Sequence, residues 1–112
     1  MKIAIPLAGG KLSMHFGHCE KFILIDVDEK EKRITSSQEL AAPPHEPGLL
    51  PHFLHEAGAH MIISGGMGQR AKALFEENDI RVVVGAPALE PEAIVGSYLD
   101  GSLETGENCC DH

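Results

Sequence analysis

Ile62-Ile63-Ser64-Gly65-Gly66-Met67-Gly68-Gln69-Arg70-Ala71-Lys72-Ala73-Leu74-Phe75 is the stretch on which the fold turns. His60 to Ser64 is short, with the apolar centre Met61-Ile62-Ile63, and reads as a strand. Gly65-Gly66-Met67-Gly68 then breaks it sharply. Ala71, Leu74 and Phe75 recur at helical spacing, with Asn78 placed to cap the helix. Ile80-Arg81-Val82-Val83-Val84 reads as the next strand. A helix that crosses between two strands of one sheet forces them to pair in parallel. Pro91 suits the first turn of a last helix, with Ile94, Val95, Tyr98 and Leu99 inward and Gly101 closing it.

The first half carries strands. Ile3, Ile5 and Leu7 alternate over residues 2–7, and a loop with Gly9, Gly10, Ser13 and Gly17 follows. Phe22 to Val27 is nearly all apolar. Asp28 to Lys32 is a charged turn, and Arg33 to Glu39 is a polar strand suited to an edge. These last two strands read as a hairpin. Ala42 to Gly48 is a Pro-rich loop. A helix then presents Leu49, Leu50, Phe53, Leu54 and Ala57 on one face, with Pro51 in its first turn and Gly58 at its end. The order βββαβαβα predicts an α/β fold, a mixed five-stranded sheet with about three helices. Ligands in such folds sit outside the carboxyl ends of parallel strands. If the first strand lies beside His60–Ser64, the loops leaving both face one mouth.

The 112 residues fit one domain with a real core, here residues 1–101, followed by a polar tail over 102–112 without periodicity. A formal charge of −8 argues against nucleic-acid binding and against anionic membranes. No apolar run approaches the roughly 20 residues of a membrane span, and the start lacks a signal-peptide pattern. The expectation is a cytoplasmic protein. Nothing in the surface pattern specifies an oligomer, so a monomer is expected. Three cysteines are too few for a disulfide scaffold.

Those cysteines collect in two segments. Met14-His15-Phe16-Gly17-His18-Cys19 lies near the start, and Asn108-Cys109-Cys110-Asp111-His112 at the end. Thiolate and imidazole are the ligands of iron–sulfur, copper, zinc and thiometallate centres. His15, His18 and Cys19 are therefore candidate metal ligands, set against a loop whose histidines cap strand ends. One short loop does not complete a tetrahedral shell. Cys109, Cys110 and His112 are the natural second half, set against a tail with incidental thiols. Eleven residues reach at most about 35–40 Å. Gly65, Gly66 and Gly68 offer backbone N–H groups ahead of a helix, an anion-binding arrangement that a thiometallate, an iron–sulfide cluster or a phosphate would suit. The same glycines equally suit a tight structural turn. The pattern is neither a Walker loop nor a dinucleotide fingerprint. His45, in the Pro-rich loop, is a further candidate at the mouth. Met67 lies beside the glycines, although packing is the commoner use of Met. His52 and His55 share a helix face without an obvious third ligand and are expected to face solvent. His60 is expected to be structural.

The opening strand with Ser13-x-His15-Phe16-Gly17-His18, the Ile62-to-Leu74 stretch and Ile80-x-Val82 together resemble the dinitrogenase iron–molybdenum cofactor biosynthesis family. That family includes the carriers NifX and NafY, the C-terminal region of some NifB proteins and the small orange protein of sulfate reducers. The likeness covers about residues 1–101. It implies a ribonuclease-H-like three-layer fold and non-enzymatic binding of a metal–sulfur cluster. Phe16, Gly17 and His18 then fall in the cofactor-binding loop, with Gly65, Gly66 and Gly68 in the glycine turn. The cluster would be iron–sulfur first, with molybdenum–copper and iron–molybdenum types open. Its partners would be a cluster donor and a cluster recipient. His15, Cys19 and the Cys109-Cys110-Asp111-His112 tail depart from the family pattern and favour direct ligation. Likeness to ribonuclease H brings no nuclease chemistry, because Asp26 and Asp28 lack a convergent set of carboxylates. The alternative is a small zinc-binding or thiol-redox protein using the same residues, or an adaptor in which they are incidental.

Overall fold

A computed structural model describes residues 1–12, 21–41 and 49–103. In chain order the elements are β1 (Lys2–Ala8), β2 (Lys11–Leu12), β3 (Lys21–Asp28), β4 (Arg33–Ala41), α1 (Leu49–Glu56), β5 (Met61–Ile63), α2 (Gln69–Glu77), β6 (Arg81–Val83) and α3 (Pro91–Asp100). The sheet runs β4-β3-β1-β5-β6, with β2 paired to β1. β3 is antiparallel to both β1 and β4, while β5 is parallel to β1 and to β6. The mixed sheet and its three helices match expectation, with one correction. Among the described residues there are six strands, because Lys11–Leu12 turns back onto the end of β1 and pairs Leu7 with Leu12. Gly9 and Gly10 make this possible. Their φ angles of 63° and 81° are those of a two-residue hairpin turn that matches strand twist and that side chains resist.

Side chains alternate across the strands and fill two cores. Ile3, Ile5, Ile23, Ile25, Val27, Met61 and Ile63 meet Ile94 and Val95 of α3 on one face. Ala4, Phe22, Leu24 and Ile62 meet Leu50 and Leu54 of α1 and Phe75 of α2 on the other. The sheet is thus sandwiched between α3 and the α1–α2 pair. β4 lies at an edge and is exposed along most of its length, as its polar sequence predicts. A register shift between Asp26 and Val27 bends the β3–β4 pair. Here Asp26 accepts from the Ser36 hydroxyl at 3.0 Å.

Helix ends follow the local chemistry. Pro51 sits in the first turn of α1, where its missing N–H removes no helical bond. Asn78 caps α2: its N–H donates to the Phe75 carbonyl at 3.0 Å and its side-chain amide to Leu74 at 2.8 Å. Pro91 opens α3, and Gly101, left-handed at φ 80°, closes it. Ser102 and Leu103 fold back beyond it, both donating to the Ser97 carbonyl.

Candidate functional site

β1 and β5 are neighbours and parallel, pairing Ile3 with Met61 and Ala4 with Ile62. Their carboxyl ends therefore point the same way, and the chain leaving Ile63 turns at the level of the last residues of β1. The other strand ends reach the same level. Leu7 stands opposite both Leu12 and Lys21, and Lys21 opposite Ala41. Leu12 and Lys21 flank residues 13–20, and Ala41 and Leu49 flank residues 42–48. The candidates His15, Phe16, Gly17, His18 and Cys19, and likewise His45, lie outside the described residues, but the strand ends that lead into these segments sit at one end of the sheet. Cys109, Cys110 and His112 also lie outside the described residues.

The glycine turn is described in full. Ser64 is completely buried. Its N–H donates to Val83 at 2.9 Å, and its hydroxyl donates to the Gly66 carbonyl at 3.2 Å. The Gly65 carbonyl accepts from Gly85 at 3.0 Å, the Ser64 carbonyl from Ala86 at 3.3 Å, and the Gly68 carbonyl from Lys72 at 3.1 Å. The carbonyls of Ser64, Gly65, Gly66 and Gly68 are thus occupied from within the fold. Among the described residues nothing accepts from the N–H groups of Gly65, Gly66 or Gly68. Gly68 is the N-cap of α2 with φ −66° and ψ 155°, and no side chain caps the helix. The first turn of α2 therefore presents the positive end of the helix dipole, with Arg70 and Lys72 beside it. This chemistry favours an anion.

Met67 is completely buried among Ala4, Phe22, Ile62 and Phe75, so its side chain belongs to the core. Sequence reasoning overlooked Ser64 and Gly85. Gly85 takes φ 84° immediately beyond β6 and its neighbour Val84, and Gly85 and Ser64 together lock the glycine turn to the β6 loop. A serine after an apolar run and a glycine after Val82-Val83-Val84 were the available signals. The β6 loop also joins the rim through the Leu12 N–H, which donates to Leu89 at 2.9 Å.

The remaining candidates lie elsewhere. His60 is structural as expected: its Nδ1 accepts from the Lys2 N–H at 3.1 Å, and its own N–H donates to Lys2 at 2.9 Å. His52 and His55 face solvent. Asp28 accepts from the N–H groups of Lys30 and Glu31 and so shapes the β3–β4 turn. Among the described residues no three His, Cys, Asp or Glu side chains are placed to hold a metal. No helix among them is long and apolar enough to cross a membrane.

A family model described as dinitrogenase iron-molybdenum cofactor matches residues 1–101. The chain belongs to this family. The protein MJ0580 of Methanocaldococcus jannaschii is 29% identical over 110 residues, covering 96% of this chain and 92% of the relative. The crystal structure of PH0822 superposes with a TM-score of 0.85 at 27% identity, covering 94% of each chain. The apo orange protein of Desulfovibrio gigas shares the fold, with a TM-score of 0.74 at 20% identity, covering 96% of this chain and 93% of that one. In this member of the iron-molybdenum cofactor family, the matched region ends at Gly101, where α3 is capped.

Proposed function

We propose that this protein binds and carries a metal–sulfur cluster as cargo, without catalysing a reaction, and passes it from a donor protein to a recipient during cofactor assembly. The observation that carries this reading is the glycine turn. Its carbonyls are bound inward, at the end of the sheet that also bears the ends of the two candidate loops. Sulfides on the surface of a cluster are anionic acceptors. The N–H groups of Gly65, Gly66 and Gly68 and the dipole of α2 would stabilise them. Met67 would hold the turn in place from the core side. His15, His18 and Cys19 would supply imidazole and thiolate ligands, with Phe16 and Gly17 shaping their loop and His45 approaching from residues 42–48. Membership in the iron-molybdenum cofactor family supports the cargo class. Iron–sulfur is the first choice, with molybdenum–copper and iron–molybdenum types open. The sandwich of helices around the sheet supports the ribonuclease-H-like description.

The proposed plan is one domain over residues 1–101 with a tail over 102–112, working as a monomer in the cytoplasm. The tail starts far from the mouth. Lys32, in the β3–β4 turn, acts electrostatically on Asp100 at the end of α3, so α3 leads from the mouth to the opposite end of the sheet. Cys109 follows Leu103 by six residues, a reach of roughly 20 Å, while β1 alone spans about 23 Å. Cys109 and Cys110 would therefore meet the cargo only when the tail is nearly straight. On this reading His15, His18 and Cys19 would be the primary ligands, with His112 best able to close over the cargo. The test is metal content in variants: Cys19→Ala should lose most of the bound metal and Cys110→Ala less. Unchanged metal in Cys19→Ala would remove the thiolate from the site.

A further inference from the structure

α1 ends in a second concentration of ligand groups, remote from the mouth. The helix starts at Leu49, on the mouth side, and its final turn leads through Gly58 to the amino end of β5. His55 is on that turn, and its Nδ1 lies 2.9 Å from the carbonyl oxygen of Asn78. A carbonyl only accepts, so Nδ1 is the donor, and in the neutral imidazole Nε2 is the nitrogen with the lone pair. Metal-binding histidines typically have this arrangement: one ring nitrogen donates to a carbonyl, which sets the tautomer and aims the other nitrogen. The bond comes from the C-cap of α2, so tertiary structure orients the ring. His52 is three residues earlier on the same face, where Cβ atoms are about 5–6 Å apart. Its Nε2 is 3.6 Å from Glu56 Oε1, with side-chain exposures of 65% and 68% that leave the approach open. Both α1 and α2 end here, and helix carboxyl ends carry negative partial charge. α2 has no basic residue in its last turn.

We infer that His52 and His55 form a second metal site, which takes one divalent first-row transition-metal ion through their imidazoles. No third protein ligand converges among the described residues, so water completes the shell, with Glu56 hydrogen-bonded to it. Imidazole selects nickel, copper or zinc over magnesium and calcium, which prefer oxygen.

The test titrates the full-length protein with nickel(II), which thiols do not reduce, and follows the backbone amide signals by NMR. Signals of residues 52–57 and 77–79 should broaden in a saturable step. Zinc(II) should restore them by displacement and magnesium(II) should not. His52→Ala/His55→Ala, both at exposed positions, should keep the remaining spectrum and lose this broadening. Three outcomes would overturn the assignment: no broadening at 52–57, broadening that persists in the double variant, or equal displacement by magnesium. Broadening at the mouth or tail reports on a different part of the chain. The result is therefore independent of whether the mouth carries a cluster.

Discussion

Glycines in this chain serve two different ends, and substitution separates them. Gly10 has φ 81° and no atom within 4 Å of a would-be Cβ, so its constraint is the backbone alone. Gly10→Ala should cost about 1–2 kcal/mol, the usual penalty for a side chain in left-handed backbone, measured by urea unfolding. Gly68 is also uncrowded, but its φ of −66° suits any residue. Neither backbone conformation nor packing among the described residues requires a glycine there. Serine is the better N-cap by a few tenths of a kcal/mol. Gly68→Ser should therefore leave the unfolding midpoint unchanged or slightly higher. Its hydroxyl would bond to the first-turn N–H groups of α2 and compete with an anionic cargo. Cluster loading should fall while stability does not, and loading equal to wild type would argue against the α2 end as part of the cradle. The sequence revealed that glycines crowd this turn. It could not reveal that Ser64 and Gly85 fix it, because those bonds join residues about twenty positions apart.

At the scale of elements, local pattern was a good guide wherever a core face was present. Ile3, Ile5 and Leu7 announced β1, and Leu50 and Leu54 announced α1, because each buries one periodic face. β2 went unseen because a two-residue strand has no period, only the Gly9-Gly10 turn that creates it. The close of α3 is also local and gives a pH prediction. Asp100 is held below its ordinary value chiefly by the Ser102 hydroxyl, then by the Ser102 N–H, with Lys32 adding attraction. The folded state thus favours the carboxylate. That contribution is fully present above the unfolded-state value near 3.9 and is lost as pH falls through the lower folded value. Asp100→Asn should be slightly less stable than wild type at neutral pH, and the two urea midpoints should converge in acid. A gap that persists at the lowest accessible pH would contradict this origin. The group is exposed, so the effect should be small.

For the whole molecule, the decisive fact is the adjacency of β1 and β5. The His60–Val84 unit fixed a parallel pair by its crossover helix. Which strand lies on the other side of β5 is a tertiary choice that no local pattern encodes. With β1 there, the glycine turn, the Gly9-Gly10 hairpin and the β6 loop gather at one end, together with the strand ends that flank residues 13–20 and 42–48. α3 instead ends toward the β3–β4 turn, whose Lys32 attracts Asp100, which the sequence could not have indicated. Ligand-type residues at both chain ends were legible from composition alone. Both groups, in residues 15–19 and 109–112, lie outside the described residues. A metal–sulfur cluster at the mouth has a distinct composition and colour. The most direct measurement is metal and acid-labile sulfide analysis, with a visible absorption spectrum, on protein purified without oxygen. Iron or molybdenum together with sulfide is expected, with visible bands that disappear when the metal is removed. Stoichiometric colourless zinc without sulfide would contradict it.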